Sequence, residues 1–140
     1  MDKDSPKVVI DTNLLVRFLT DDEPNKAKAV DTLLLKAGRN ELKILIPNVV
    51  IAELVWVLES FYRMTPEEII NLIEAILNTP GAEIQDKSII AATLKLYGSK
   101  NIDFIDAWII AFAKNKNVKT IYTFDKKHFR DIGEVEAMSP

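Results

Sequence analysis

Short apolar runs alternate along this chain with longer stretches of helical periodicity, and the first run, Lys7-Val8-Val9-Ile10, stops abruptly at Asp11-Thr12-Asn13. Consecutive apolar residues predict a strand buried on both faces, as in a parallel sheet, with Asp11 at its carboxyl end. A short helix is expected over residues 14–19, then an acidic turn at Asp21-Asp22-Glu23-Pro24. Pro24 suits the first position of a second helix, and Gly38 the residue after its end. Leu42-Lys43-Ile44-Leu45-Ile46, halted by Pro47, predicts a second strand. Asn48 is placed to cap a helix over 49–62, and Thr65-Pro66-Glu67-Glu68 has capping-box spacing for another that ends near residue 78. A turn at Asn78-Thr79-Pro80-Gly81 then leads to a short strand over 82–85, and Asp86 caps a helix over 87–97 closed by Gly98. Asp103 opens a further helix. Lys119-Thr120-Ile121-Tyr122-Thr123 is a β-branched strand, and Val135-Glu136-Ala137 an edge strand.

Helices in alternation with short apolar strands, without repeat or linker, predict an α/β fold: three layers, α/β/α, around a central parallel sheet of four to five strands. At 140 residues and 48% apolar content, a single domain over residues 1–140 is expected. Helices carrying Leu72-Ile73-Glu74-Ala75-Ile76-Leu77 and Ile89-Ile90-Ala91-Ala92 offer more apolar surface than one such core covers, which predicts a homodimer. Residues 1–6 lack the pattern of a signal peptide and no uncharged run reaches the ~20 residues of a membrane helix, so a soluble, cytoplasmic protein is expected.

There is no cysteine and a single histidine, His128, which excludes a disulfide framework and a zinc site of Cys or several His. A metal here would need oxygen ligands. The net charge of −3 gives no global footprint for nucleic acid, but between residues 114 and 130 Lys114, Lys116, Lys119, Lys126, Lys127 and Arg130 stand against the one acid Asp125.

The acids are the informative residues. Asp11 either caps the helix after it or stands at the strand end where open α/β sheets bind ligands. The helical neighbours of Glu53, namely Val49, Val50, Trp56 and Val57, are apolar, so its carboxylate is expected to be partly buried and to need a cation, either a basic side chain or a metal. Asp103 and Asp106 share one face at a helix start, where Asp103 is also a natural cap and Ile102, Ile109 and Ile110 crowd Asp106. Asp125 directly follows a strand. Two like charges ~4 Å apart cost about 4 kcal/mol at an effective dielectric of 20, so a cluster of such acids calls for a divalent cation, and all-oxygen ligands favour Mg²⁺ or Mn²⁺. Metal-assisted phosphodiester hydrolysis follows as the expected chemistry, with the basic stretch, Lys126 and Lys127 foremost, on the substrate's phosphates.

Val9-Ile10-Asp11-Thr12-Asn13, Asn48-Val49-Val50-Ile51-Ala52-Glu53-Leu54, Asp103-Phe104-Ile105-Asp106-Ala107 and Tyr122-Thr123-Phe124-Asp125-Lys126-Lys127-His128-Phe129, in this order, resemble the PIN domain family, and within it the VapC-type toxins of prokaryotic toxin–antitoxin pairs. The resemblance implies an endoribonuclease dependent on Mg²⁺ or Mn²⁺, a homodimer and a small antitoxin partner. Carried over by residue, it implies an acidic site of Asp11, Glu53, Asp106 and Asp125, with Asn13 and Thr123 helping to arrange it. Asp103 matches an acid that only some members carry. Phe124 stands where much of the family has a basic or small residue, a departure that bears on substrate preference. A haloacid-dehalogenase-like phosphatase would need an acid at Asn13, and a receiver would need an acceptor aspartate where the 42–46 strand meets Pro47, so neither fits. The remaining alternatives are a non-catalytic RNA-binding or scaffold module and an RNA-processing nuclease outside a toxin–antitoxin pair. Loss of catalysis would erase the acids first, and all four remain.

Overall fold

A computed structural model describes residues 5–20, 22–99, 101–129, 132–133 and 135–140. Asp21 and Arg130, named above in the acidic turn and the basic stretch, lie outside the described residues. The chain forms two compact units, residues 1–87 and 88–140.

The first unit holds β1 (Lys7–Val9), α1 (Thr12–Thr20), α2 (Pro24–Gly38), β2 (Lys43–Ile46), α3 (Asn48–Ser60), α4 (Pro66–Leu77) and β3 (Ala82–Ile84). Its strands pair in parallel in the order β1-β2-β3, with Val8 opposite Ile44 and Ile46 opposite Ile84. Ile44 and Ile46 on the central strand are buried, as are Ile51, Leu54 and Leu58 of α3 and Ile69 and Ile73 of α4. α1 packs on α2 and α3, α3 on α4, and α4 on β3. Helix α4 starts as its sequence dictates: the Glu68 N–H donates to Thr65 Oγ1 at 3.2 Å and the Thr65 N–H to Glu68 Oε1 at 3.0 Å. The Thr65 N–H first, and then the Thr65 hydroxyl, which donates to Glu68 Oε1 at 3.0 Å, hold the Glu68 carboxyl below its usual range.

The second unit holds α5 (Lys87–Ser99, entering from the first unit), α6 (Phe104–Asn115), β4 (Thr120–Tyr122), a 3-10 turn over Lys126–Phe129 and β5 (Glu136–Met138). β4 and β5 pair in parallel, Thr120 opposite Glu136. Ile110, Phe129, Ile132 and Val135 form the core, with Leu96, Ile102, Ile121 and Ala137 against it. The Tyr97 and Phe104 rings meet edge to face at 5.7 Å.

The α/β class with parallel strands is what the structure shows, and its particulars differ from the expectation. Instead of one sheet of four to five strands, among the described residues there are a three-stranded and a two-stranded parallel sheet. β4 satisfies its backbone on β5, where the Thr123 N–H donates to the Met138 carbonyl at 2.8 Å. β1 is not buried on both faces. It lies at the edge of its sheet, and Val9 is 67% exposed. Pro47, not Asn48, holds the N-cap of α3; Asn48 is the first helical residue, and its side chain donates to Asp86 Oδ2 at 2.8 Å. Gly38 ends α2 from within the helix. The apolar residues that suggested a dimer are largely consumed inside the units, for Ile73, Ile76, Leu77, Ile89 and Ile90 are buried. Among the described residues no helix is long and apolar enough to cross a membrane.

Gly81 controls the approach of β3. Its φ of +82° is one that L side chains rarely adopt, and a Cβ there would strike the backbone carbonyl of Ala37. Its own carbonyl accepts the Ile44 N–H at 2.9 Å, so the backbone cannot simply turn away. Gly81→Ala is expected to destabilise the protein by about 3 kcal/mol, read as a lowered urea midpoint with an unchanged m-value.

Candidate functional site

In the first unit, β1 passes through the buried Ile10 into Asp11, and α1 begins at the next residue. Asp11 is thereby exposed at the carboxyl end of a parallel strand. Its Oδ1 accepts the Leu14 N–H at 3.4 Å, a long bond that caps α1 weakly. Thr12 is buried and Asn13 exposed beside it. Glu53 is exposed, not partly buried, and no basic side chain pairs with it among the described residues. Its apolar neighbours misled because they are themselves in solvent: Val49 is 69% and Trp56 65% exposed, while the stripe of α3 facing the core is Val50, Ile51, Leu54, Val55 and Leu58.

Asn13 and Glu53 line a cleft of about 360 Å³ together with Arg17, Asp22, Phe61 and Tyr62. Arg17 pairs with Asp22 at 3.2 Å and Glu23 at 2.9 Å, and Tyr62 donates its hydroxyl to Asp22 Oδ2 at 2.6 Å. Tyr62 first, then Thr20 and Arg17, hold the Asp22 carboxyl below its usual range. The guanidinium that could have neutralised Glu53 is committed to these two acids. Nothing in the local sequence marks this network, since Tyr62 reaches Asp22 across forty positions of chain.

In the second unit, Asp103 takes the N-cap position of α6, but its side chain makes no cap hydrogen bond. Among the described residues no basic side chain pairs with its carboxylate. Asp106, on the first turn of α6, is partly buried. Burial, then the charges of Asp103 and Asp125, push its carboxyl above the usual range, and among the described residues His128 opposes them. Asp125 follows β4 and is exposed, and its N–H donates to Thr123 Oγ1 at 3.0 Å. His128, one 3-10 turn on, sets its Nδ1 2.7 Å from Asp125 Oδ2 and 3.8 Å from Asp106 Oδ2. Asp103, Asp106, Lys127 and His128 line a cleft of about 380 Å³.

His128 is the residue that sequence reasoning used only to exclude zinc. The signal that could have found it is its spacing of three from Asp125, which a single 3-10 turn brings into contact. The second unit thus gathers Asp103, Asp106 and Asp125 near one another, and the first presents Asp11 and Glu53 on its own surface. Among the described residues no group of three or more His, Cys, Asp or Glu stands ready to hold a metal ion. The donor chemistry nonetheless suits Mg²⁺ or Mn²⁺: the ligands are carboxylate oxygens, and the mutual repulsion registered at Asp106 is what a divalent cation relieves.

A family model for the PIN domain matches residues 8–135 of the chain. The chain is 29% identical over 125 residues to a VapC ribonuclease of Aquifex aeolicus (strain VF5), an overlap covering 89% of this chain and 91% of that protein.

Because the Asp106 carboxyl is raised in the folded state, its ionisation works against folding. That destabilisation is absent at pH below the ordinary carboxylate value, where folded and unfolded states are both protonated, sets in as pH rises past that unfolded-state value, and is complete above the raised folded-state value. Asp106→Asn is expected to melt higher than wild type at pH 7, with the gap closing as the medium is acidified. Carbon-13 titration of the Asp carboxyls should show Asp106 moving down in Asp103→Asn and further up in His128→Ala. An Asp106 titration unmoved by both variants would contradict the charge assignment.

Proposed function

The chain belongs to the PIN domain family, and from that membership we propose that it is a divalent-metal-dependent endoribonuclease, the cytoplasmic toxin of a type II toxin–antitoxin pair. The observation that carries the reading is the approach of Asp106 and Asp125 to the imidazole of His128, at 3.8 and 2.7 Å, with Asp103 lining the same cleft as Asp106. Like charges at a helix start and a strand end, opposed among the described residues by His128, cost stability, and binding a cation offsets that cost. The likeness to a VapC ribonuclease supports RNA as substrate and a small antitoxin as partner.

In this reading Asp11, Glu53, Asp106 and Asp125 hold Mg²⁺ or Mn²⁺, with Asp103 as an additional acid, and residues 1–140 act as one nuclease domain in a homodimer. When bound, the ion supplies an acidified water and stabilises charge on the phosphate oxygens. The reaction is hydrolysis: a water oxygen attacks phosphorus, the bond to the leaving ribose oxygen breaks, and that oxygen takes up a proton. The chain's own residues prepare it. Lys126 and Lys127, both exposed and adjacent to Asp125, bind phosphates of the RNA. Thr123 fixes the backbone at Asp125 through the 3.0 Å bond to its N–H, and His128 orients the Asp125 carboxylate through its 2.7 Å contact. Asn13 supports Asp11 from the start of α1.

Asp11→Asn, nearly isosteric, is expected to lower RNA cleavage by roughly 100-fold or more, the scale of losing one electrostatic stabiliser of a transition state, while the fold persists. Mn²⁺ at 100 times its Kd should stabilise wild type by about 2.7 kcal/mol in thermal melts, and less in Asp11→Asn. Full cleavage by Asp11→Asn, or a melting temperature indifferent to Mn²⁺ in wild type, refutes the mechanism.

A further inference from the structure

Phe124 is the most exposed large apolar side chain among the described residues, at 89%, and it stands immediately before Asp125. Tyr122, two positions earlier, is 68% exposed. The alternation along this segment explains why both face outward. Ile121 packs on the core of the second unit and Thr123 is half-buried, so residues 122 and 124 take the opposite, solvent side. The backbone around Phe124 is clamped: the Thr123 N–H donates to the Met138 carbonyl at 2.8 Å, and the Asp125 N–H to Thr123 Oγ1 at 3.0 Å. The ring is thereby held in the open, and among the described residues no other ring packs against it.

We propose that Phe124, with Tyr122 beside it, is a stacking platform for an unpaired base of single-stranded RNA whose phosphates lie on Lys126 and Lys127. This rests on the nuclease reading and names the form of RNA it takes. Charge selects the occupant. Between residues 114 and 129 there are Lys114, Lys116, Lys119, Lys126 and Lys127, all exposed, against Asp125 alone. Aromatic faces interleaved with lysines suit a polyanion with exposed bases, since bases stack on rings while phosphates take the cations. An apolar protein surface would have to desolvate the same lysines without repayment. Double-stranded RNA keeps its bases stacked inside the helix and offers the ring none.

The test is binding of fluorescein-labelled single-stranded RNA in EDTA, so that cleavage does not intervene, followed by fluorescence anisotropy over a range of salt. Phe124→Ala is expected to weaken binding roughly 5- to 150-fold, with the salt dependence unchanged, and Phe124→Trp to retain it. Lys126→Ala should instead flatten the slope of log K against log salt by about 0.7. An RNA with one abasic position should bind wild type more weakly but Phe124→Ala equally well. A duplex should bind both proteins alike. Phe124→Ala binding RNA as tightly as wild type overturns the platform, and a dimer in light scattering that Phe124→Ala dissociates assigns the ring to a protein contact instead. If wild type cleaves RNA in Mn²⁺ while Phe124→Ala binds normally, the platform alone fails. If wild type neither cleaves nor binds RNA, the nuclease reading fails and the platform with it.

Discussion

Partial burial of the Asp106 carboxylate at the start of α6, with two further carboxylates near it, is the constraint on which the second unit depends. Asp106 is partly withdrawn from water, Asp103 sits one turn before it with no cap bond to absorb its charge, and Asp125 approaches from the end of β4. Hydrophobic packing holds the arrangement together. Ile110, one turn beyond Asp106, is buried against Phe129, Ile132 and Val135, so α6 cannot swing its acidic end away without opening that core. Among the described residues the counterweight is His128, carried on a 3-10 turn whose Phe129 is itself a core residue. Apolar contacts thus fix charges where electrostatics alone would disperse them.

The first unit solves a different problem. Its acids lie at the surface, where water screens them, and the guanidinium lining their cleft is tied up elsewhere. Arg17 is committed to Asp22 and Glu23, and Tyr62 reinforces Asp22. These bonds brace the turn between α1 and α2 against the end of α3, beside Asn13 and Glu53. Glu53 is left without a cation of its own among the described residues. An exposed carboxylate tolerates that state at little cost, which is why the position needs no internal partner.

Exposed apolar residues are unevenly distributed, and their placement matters more than their number. The helices richest in Ile and Leu, α4 and α5, turn those residues inward, whereas Trp56, Phe61, Tyr122 and Phe124 stay in solvent. Each of these rings stands within a few residues of a cleft-lining or acidic side chain. A ring held in solvent beside a charged cleft forfeits burial, and the structure places several of them so.

Local chemistry was legible in the chain. The capping box of α4 follows from Thr65 and Glu68 alone, because both partners lie within one helical turn, and the positions of Asp11, Asp103 and Asp125 at strand ends and helix starts follow from the punctuation beside them. Burial and pairing were not. Strands of three or four residues carry too little pattern to specify neighbours, so the split into sheets of three and two strands, and the edge position of β1, depend on which backbones meet in space. Glu53 was misjudged for the same reason: apolar neighbours on a helix reveal a stripe, but only packing decides which stripe faces the core. The approach of His128 to Asp106, the reach of Tyr62 to Asp22 and the rise in the Asp106 carboxyl all arise between residues that the chain's course brings together. Sequence determined which residues can ionise, cap or stack; tertiary structure decided which of them meet and how much water remains between them, because desolvation and Coulomb energy depend on distance in space.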